Sequence, residues 1–167
     1  MSKSTVPSLR VGEPIPPFAL TTVGSKREMS DALLLGRTSL LIFHDQHAQH
    51  EVQALQERVR LQRPDHTDVF IASVVNMSVV PAFLRQIALG IMEKGYTGAK
   101  ERMPAGVDAA DYVVILADWD GKVCKRFGAE RVDKEPLLVL LTPDGLVGGL
   151  YRGKALGDAA AGMLGLA

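Results

Sequence analysis

Apolar and polar positions along this chain alternate between two patterns, compact apolar runs and apolar stripes at helical spacing. Thr38 to Phe43 is the clearest run. A short apolar run of this kind is the signature of a central strand covered on both faces. It leads into a helix that starts near Asp45 or Gln46 and ends before Pro64. The apolar residues of that helix, Ala48, Val52, Leu55 and Val59, fall on one face. Asp68 to Val75 reads as the next strand. Val80, Phe83, Leu84, Ile87 and Ile91 then mark a second amphipathic helix, with Pro81 tolerated in its first turn.

Residues 95–110 hold three glycines and a proline and read as a loop, with a helical turn near Ala99–Arg102. Tyr112 to Ala117 is a third central strand, and Lys122 to Phe127 a short helix closed by Gly128. Leu137 to Leu141 and Leu146 to Tyr151 form strands joined by Thr142-Pro143-Asp144-Gly145, a hairpin signal. Leu156 to Leu166 is a final helix. Upstream, residues 1–17 are proline-rich and extended, Phe18 to Thr22 a short first strand, and Ser30 to Leu35 one helical turn stopped by Gly36. Strands alternating with helices and ending in a hairpin predict an α/β protein with a mixed sheet.

Composition narrows this picture. At 167 residues the chain fits one domain over 1–167, large enough to fold without a disulfide or metal staple. Lysine plus arginine equals aspartate plus glutamate, 19 each. That balance argues against a nucleic-acid binder and against a polybasic membrane-surface protein. No stretch approaches the ~20 apolar residues of a membrane span, and the first 20 residues lack a signal-peptide core. The expected location is the cytoplasm. Cys124 is the only cysteine, so no intrachain disulfide can form.

Five local motifs in order resemble the thioredoxin-like superfamily, in its redoxin (peroxiredoxin and TlpA-like) branch. Val11-Gly12-Glu13-Pro14-Ile15-Pro16-Pro17-Phe18-Ala19-Leu20 looks like the redoxin opening. Leu40–Phe43 looks like the strand before the active site. Asp120-Gly121-Lys122-Val123-Cys124-Lys125-Arg126-Phe127-Gly128 is similar to the branch's short helix. Glu135-Pro136 resembles the segment carrying its cis-proline, and Pro143-Asp144-Gly145-Leu146-Val147 its hairpin. YtfJ-like proteins are a more distant likeness. The resemblance covers nearly the whole chain and implies a thioredoxin-like three-layer sandwich, a central mixed sheet flanked by helices. It also implies a cis bond at Pro136, lying against the start of the active-site helix. The chain departs from the branch where chemistry is expected. The two positions of a TlpA-like Cys-x-x-Cys fall on Ala48 and Glu51, and the peroxiredoxin Thr-x-x-x-Cys is absent. Alanine offers no nucleophile for thiol–disulfide exchange or peroxide reduction.

Three readings of function follow. The first is a non-catalytic protein that holds a protein segment or a small ligand in the vacated redox cleft, formed by His44, Asp45, His47, Ala48, Glu51, Glu135 and Pro136. It needs no cofactor and is compatible with a homodimer. The second is a redoxin-like oxidoreductase working through Cys124 or a bound metal, with Lys122, Lys125 and Arg126 close enough in sequence to lower the thiol pKa. The third is a metal-binding protein. His44, His47 and His50 form His-x-x-His-x-x-His beside Asp45 and Glu51, and imidazole with carboxylate suits zinc, copper or iron. His47 and Glu51 lie one helical turn apart, whereas His50 points about 60° away. The expected metal set is therefore His44, His47 and Glu51. Against this stands the plainer reading of a polar helix start, with Asp45 as N-cap. Asp118, Trp119 and Asp120 make an acidic cluster, read as solvated carboxylates with Trp119 as an exposed contact residue.

Overall fold

The computed structural model describes residues 9–167. β1 (Ala19–Thr21) and β2 (Glu28–Ser30) form an antiparallel hairpin. The main sheet contains β3 (Thr38–His44), β4 (Val69–Asn76), β5 (Val114–Asp118), β6 (Leu137–Leu141) and β7 (Val147–Arg152). Their order is β5-β4-β3-β6-β7; β3, β4 and β5 run parallel, and β6 and β7 are antiparallel to their neighbours. Parallel neighbours need crossovers. α1 (Gln49–Gln62) joins β3 to β4, while α2 (Arg85–Glu101) and α3 (Ala109–Tyr112) join β4 to β5. α4 (Lys122–Arg126) precedes β6, and α5 (Leu156–Leu164) follows β7.

β3 is central because its sequence lets it be. Every residue from Ser39 to His44 is buried. Alternate side chains serve opposite layers. Leu41 and Phe43 join a core with Phe70, Val74, Leu116 and Phe127. Leu40 and Ile42 join Val52, Leu55 and Val59 of α1 with Leu156 and Ala160 of α5. The Phe127 ring lies 4.7 Å from that of Phe43 and meets Phe18 edge-on at 5.8 Å. Helices thus cover both faces of one mixed sheet, the three-layer α/β arrangement that the resemblance implies.

The structure corrects the sequence reading in several places. Residues 95–101 belong to α2, not to a loop. Gly95 and Gly98 were read as breakers, yet a glycine costs a helix interior only about 1 kcal/mol. Packing outweighs that cost. Ala88, Leu89 and Met92 rest on a cluster of Val23, Met77 and Ala117, and the Tyr96 ring covers Gly24. The helix begins at Arg85 after a 3-10 turn over Ala82–Leu84, so Val80 lies outside it. Tyr112 is the last residue of α3, and the third strand starts at Val114. β2 was not expected at all; Glu28–Ser30 is too short to show a period. Among the described residues no peptide bond is cis, so the bond before Pro136 is trans. Pro136 stands just before β6, where a missing ladder N–H costs nothing, and its carbonyl accepts from Gly153 N–H at 3.1 Å. Of the proline-rich stretch 1–17, residues 1–8 lie outside the described residues.

Candidate functional site at the C-terminal end of the sheet

The vacated redox position is a closed helix start. Asp45 caps a 3-10 turn over Gln46–Ala48 that runs into α1; its Oδ1 accepts from His47 N–H at 2.9 Å, and its Oδ2 lies 2.9 Å from His47 Nδ1. His47 leaves most of its side chain in solvent, and His50 is exposed. Ala48 is buried at the end of the turn that leads into α1. His44 ends β3 and is only 4% exposed. Its Nδ1 donates to the carbonyl of Asp45 at 2.8 Å. Burial pushes its pKa below the ordinary histidine value, outweighing the pull of the Asp45 carbonyl and carboxylate, so the imidazole is held neutral. Its Nε2, like Oε2 of half-buried Glu51, is shut off from solvent with no hydrogen-bonding partner among the described residues.

The three expected metal ligands are not brought together. No ion pair or hydrogen bond joins Glu51 to His44 or His47, and no group of three His, Cys, Asp or Glu side chains among the described residues could hold a metal ion. The helical spacing of His47 and Glu51 was read correctly, but the cap turns His47 toward Asp45 and solvent. Pro136 does reach the expected neighbourhood. Phe43 pairs with Leu137, which sets Pro136 beside the end of β3. Pro136 is buried and Glu135 exposed.

Cys124 sits on α4 in the core against Phe127, with no exposed surface. Burial pushes its thiol pKa well above the ordinary value, and the Asp118 carboxyl beside it pushes the same way. The neighbouring Lys122, Lys125 and Arg126 do not lower it, which corrects that expectation; none of them enters the core. Asp118 is likewise not solvated. It ends β5, is 1% exposed, and its Oδ2 accepts from Cys124 N–H at 2.7 Å. Burial raises its pKa, against the Cys124 N–H that pulls it down. Its Oδ1 has no hydrogen-bonding partner among the described residues. Period 2 along β5 carries the signal for this burial, since Val114, Leu116 and Asp118 share a face.

Two concavities of about 500 Å³ lie elsewhere. One opens where β1 parts from β5. Val23 N–H donates to Ile115 carbonyl and Thr22 bridges Leu116; then Ala19–Thr21 and Ala117–Asp120 diverge around the space. Arg85 and Trp119 close its end, the guanidinium 5.8 Å from the ring centroid. Trp119 is half-buried rather than exposed. The other concavity is a crevice between α1 and α2, floored by Ile71 and Tyr112. Sequence reasoning missed both, because walls from distant segments leave no local pattern.

Solved structures with the same architecture carry thiol–disulfide names. A putative protein disulfide isomerase from Bacteroides thetaiotaomicron superposes with a TM-score of 0.65 at 15% identity, over 95% of this chain and 90% of that one. A putative thiol:disulfide interchange protein DsbE from Chlorobium tepidum gives 0.61 at 16% identity, over 94% and 99%. The exposed lipoprotein thioredoxin Etrx1 from Streptococcus pneumoniae gives 0.60 at 17%, over 90% and 98%. No family model matches the sequence, and no curated protein matches it. The fold is thioredoxin-like, distantly similar in structure to DsbE-like proteins. Within it this chain has one cysteine and no Cys-x-x-Cys pair.

Proposed function

We propose that this protein is a thioredoxin-like binding or accessory protein of the redoxin branch, working without thiol chemistry. It holds an extended polypeptide segment at the C-terminal end of its sheet, along His44–Ala48 and Glu135–Pro136. One observation carries the reading: the single cysteine is sealed in the core, and the helix start where the resemblance places the two thiols carries a buried Ala48 and a half-buried Glu51. Dithiol exchange needs a thiolate and a second sulfur. Here neither is present at the helix start. Open α/β sheets receive ligands at the carboxyl ends of their strands, and this end offers an exposed His47 held by half-buried Asp45, with Glu135 exposed as well. The metal-binding reading loses support because its ligands do not converge. The oxidoreductase reading through Cys124 loses support because the thiol has no access to solvent.

The test pairs a redox assay with an NMR titration of the full chain. Insulin reduction and peroxide consumption are expected to match a no-protein control. The alkylated, unfolded insulin B chain, used as the extended probe, is expected to shift the amide signals of residues 44–48 and 135–137. Turnover that Cys124→Ser abolishes would return the protein to the oxidoreductases. Shifts confined to other segments would place the binding surface elsewhere.

A further inference from the structure

α2 is built the wrong way round for a helix that serves only this chain. Val79 is 85% exposed, Phe83 82%, Ile87 62% and Ile91 66%, and Leu84 is partly open beside them. No residue of α2 is buried. At 100° per residue, Ile87, Gly90, Ile91, Lys94 and Gly98 fall within an arc of about 100°, and Phe83 precedes them in the 3-10 turn. Ala88, Leu89 and Met92 take the opposite side, against the chain's own core. The outward stripe therefore carries two large apolar side chains, Ile87 and Ile91, beside Lys94.

The glycines of the same helix have no internal explanation. A Cβ at Gly90, Gly95 or Gly98 would meet nothing within 4 Å, and none of the three has a positive φ. Each costs the helix about 1 kcal/mol against alanine. A surface that another helix approaches closely accounts for Gly90, Gly98 and the stripe together.

We infer that α2 is the contact face of a homodimer, packing against α2 of a second copy in antiparallel fashion. The helix is self-complementary in that sense only. Its N-terminal end is bulky, with Ile87 in the first turn and Val79 and Phe83 just before it, and its C-terminal half is hollow at Gly98. An antiparallel pair centred at the level of Leu89 sets Ile87 against Ile91 and brings Gly98 toward the Val79–Phe83 end of its partner. It also holds the two Lys94 side chains about 15 Å apart along the axis, beyond a Debye length at physiological salt. A parallel pair would stack Lys94 on Lys94 and leave the glycine ends facing an empty gap. The area is of the right size. The five apolar side chains offer on the order of 500 Å² if a fully exposed large side chain presents roughly 150–200 Å². That supplies the core of the ~800 Å² each partner contributes to a stable pair, leaving the polar edge of the helix for the rim. The assembly is read separately from the peptide-holding role proposed above: a monomeric chain can still show shifts at residues 44–48 and 135–137, and a dimer can fail to.

Sedimentation equilibrium of the full chain over two orders of magnitude in concentration tests the inference. The wild type should approach the mass of two chains at the upper end. Ile87→Glu should weaken the association at least tenfold with an unchanged circular dichroism spectrum, because the residue supports no internal contact. Gly98→Leu, which extends an apolar stripe but fills the hollow, should weaken it too. A wild type that stays at the mass of one chain throughout overturns the proposal. So does a dimer indifferent to both substitutions, which must use another face. Flotation with phosphatidylcholine–phosphatidylglycerol vesicles that Ile87→Glu abolishes, in a chain that is otherwise monomeric, would assign the stripe to a lipid surface and also overturn it.

Discussion

α1 and α2 do the same topological work and are built differently. Each crosses the sheet between parallel neighbours, and each carries an apolar stripe at helical spacing in the sequence. In α1 the stripe is spent inward: Val52, Leu55 and Val59 are buried under β3 and β4. In α2 the stripe that the sequence marks, Phe83, Ile87 and Ile91, faces solvent, and smaller residues hold the helix down. An amphipathic pattern says that a helix has an apolar face; it does not say whose core that face completes.

The largest expected effect breaks the two helices apart. Leu55→Ala should cost about 2–5 kcal/mol, the range for a fully buried leucine. Ile91→Ala, measured where the chain is monomeric, should stay within about 0.5 kcal/mol, as exposed substitutions do. Urea unfolding of the two variants checks this, and equal losses would mean that α2 is also a core helix.

The start of α1 should carry a pH dependence that α2 lacks. The His44 pKa is depressed by burial, so neutral His44 contributes stability that is fully present above its unfolded value near 6.5. That contribution is lost as pH falls through the lower folded value. Wild-type unfolding midpoints should therefore decline on acidification below about pH 6.5, and His44→Leu should flatten that limb. A decline of unchanged slope in the variant would assign it to other groups.

Removing the cap should have a smaller effect. Asp45→Ala loses the acceptor for His47 N–H and should destabilise by about 1 kcal/mol, with hydrogen exchange faster at residues 46–49 and unchanged in α2. The smallest effect has the opposite sign. Gly95→Ala adds a Cβ to open space and should stabilise the isolated chain by up to about 1 kcal/mol, raising the thermal midpoint slightly. A loss of stability there would show that Gly95 has an internal contact after all.

The sequence was legible where a segment carries its own signal. The β3 run, the α1 stripe, the Thr142–Gly145 turn and the Gly128 stop of α4 are all where the patterns put them. The candidate site was half legible. The lack of sulfur at Ala48 and Glu51 is a matter of counting, and Asp45 could be read as a cap from its place before the helix. The burial of Asp118 could not, since a short acidic cluster looks solvated until Cys124 of the next helix folds over it. Nor could the scattering of the three metal candidates, which depends on a cap turning one ring outward by a few bonds.

By itself the sequence determined the order of the main-sheet strands, the identity of the central strand, and the lack of a second cysteine. Those are local or countable properties, fixed by side-chain period, turn residues and composition. The tertiary structure alone decided that Cys124 is sealed, that α2 survives its glycines, and that its larger apolar face is left outside. These outcomes turn on which surfaces meet. The free energy of burying a side chain belongs to a pair of surfaces, and one chain segment read alone shows only half of each pair.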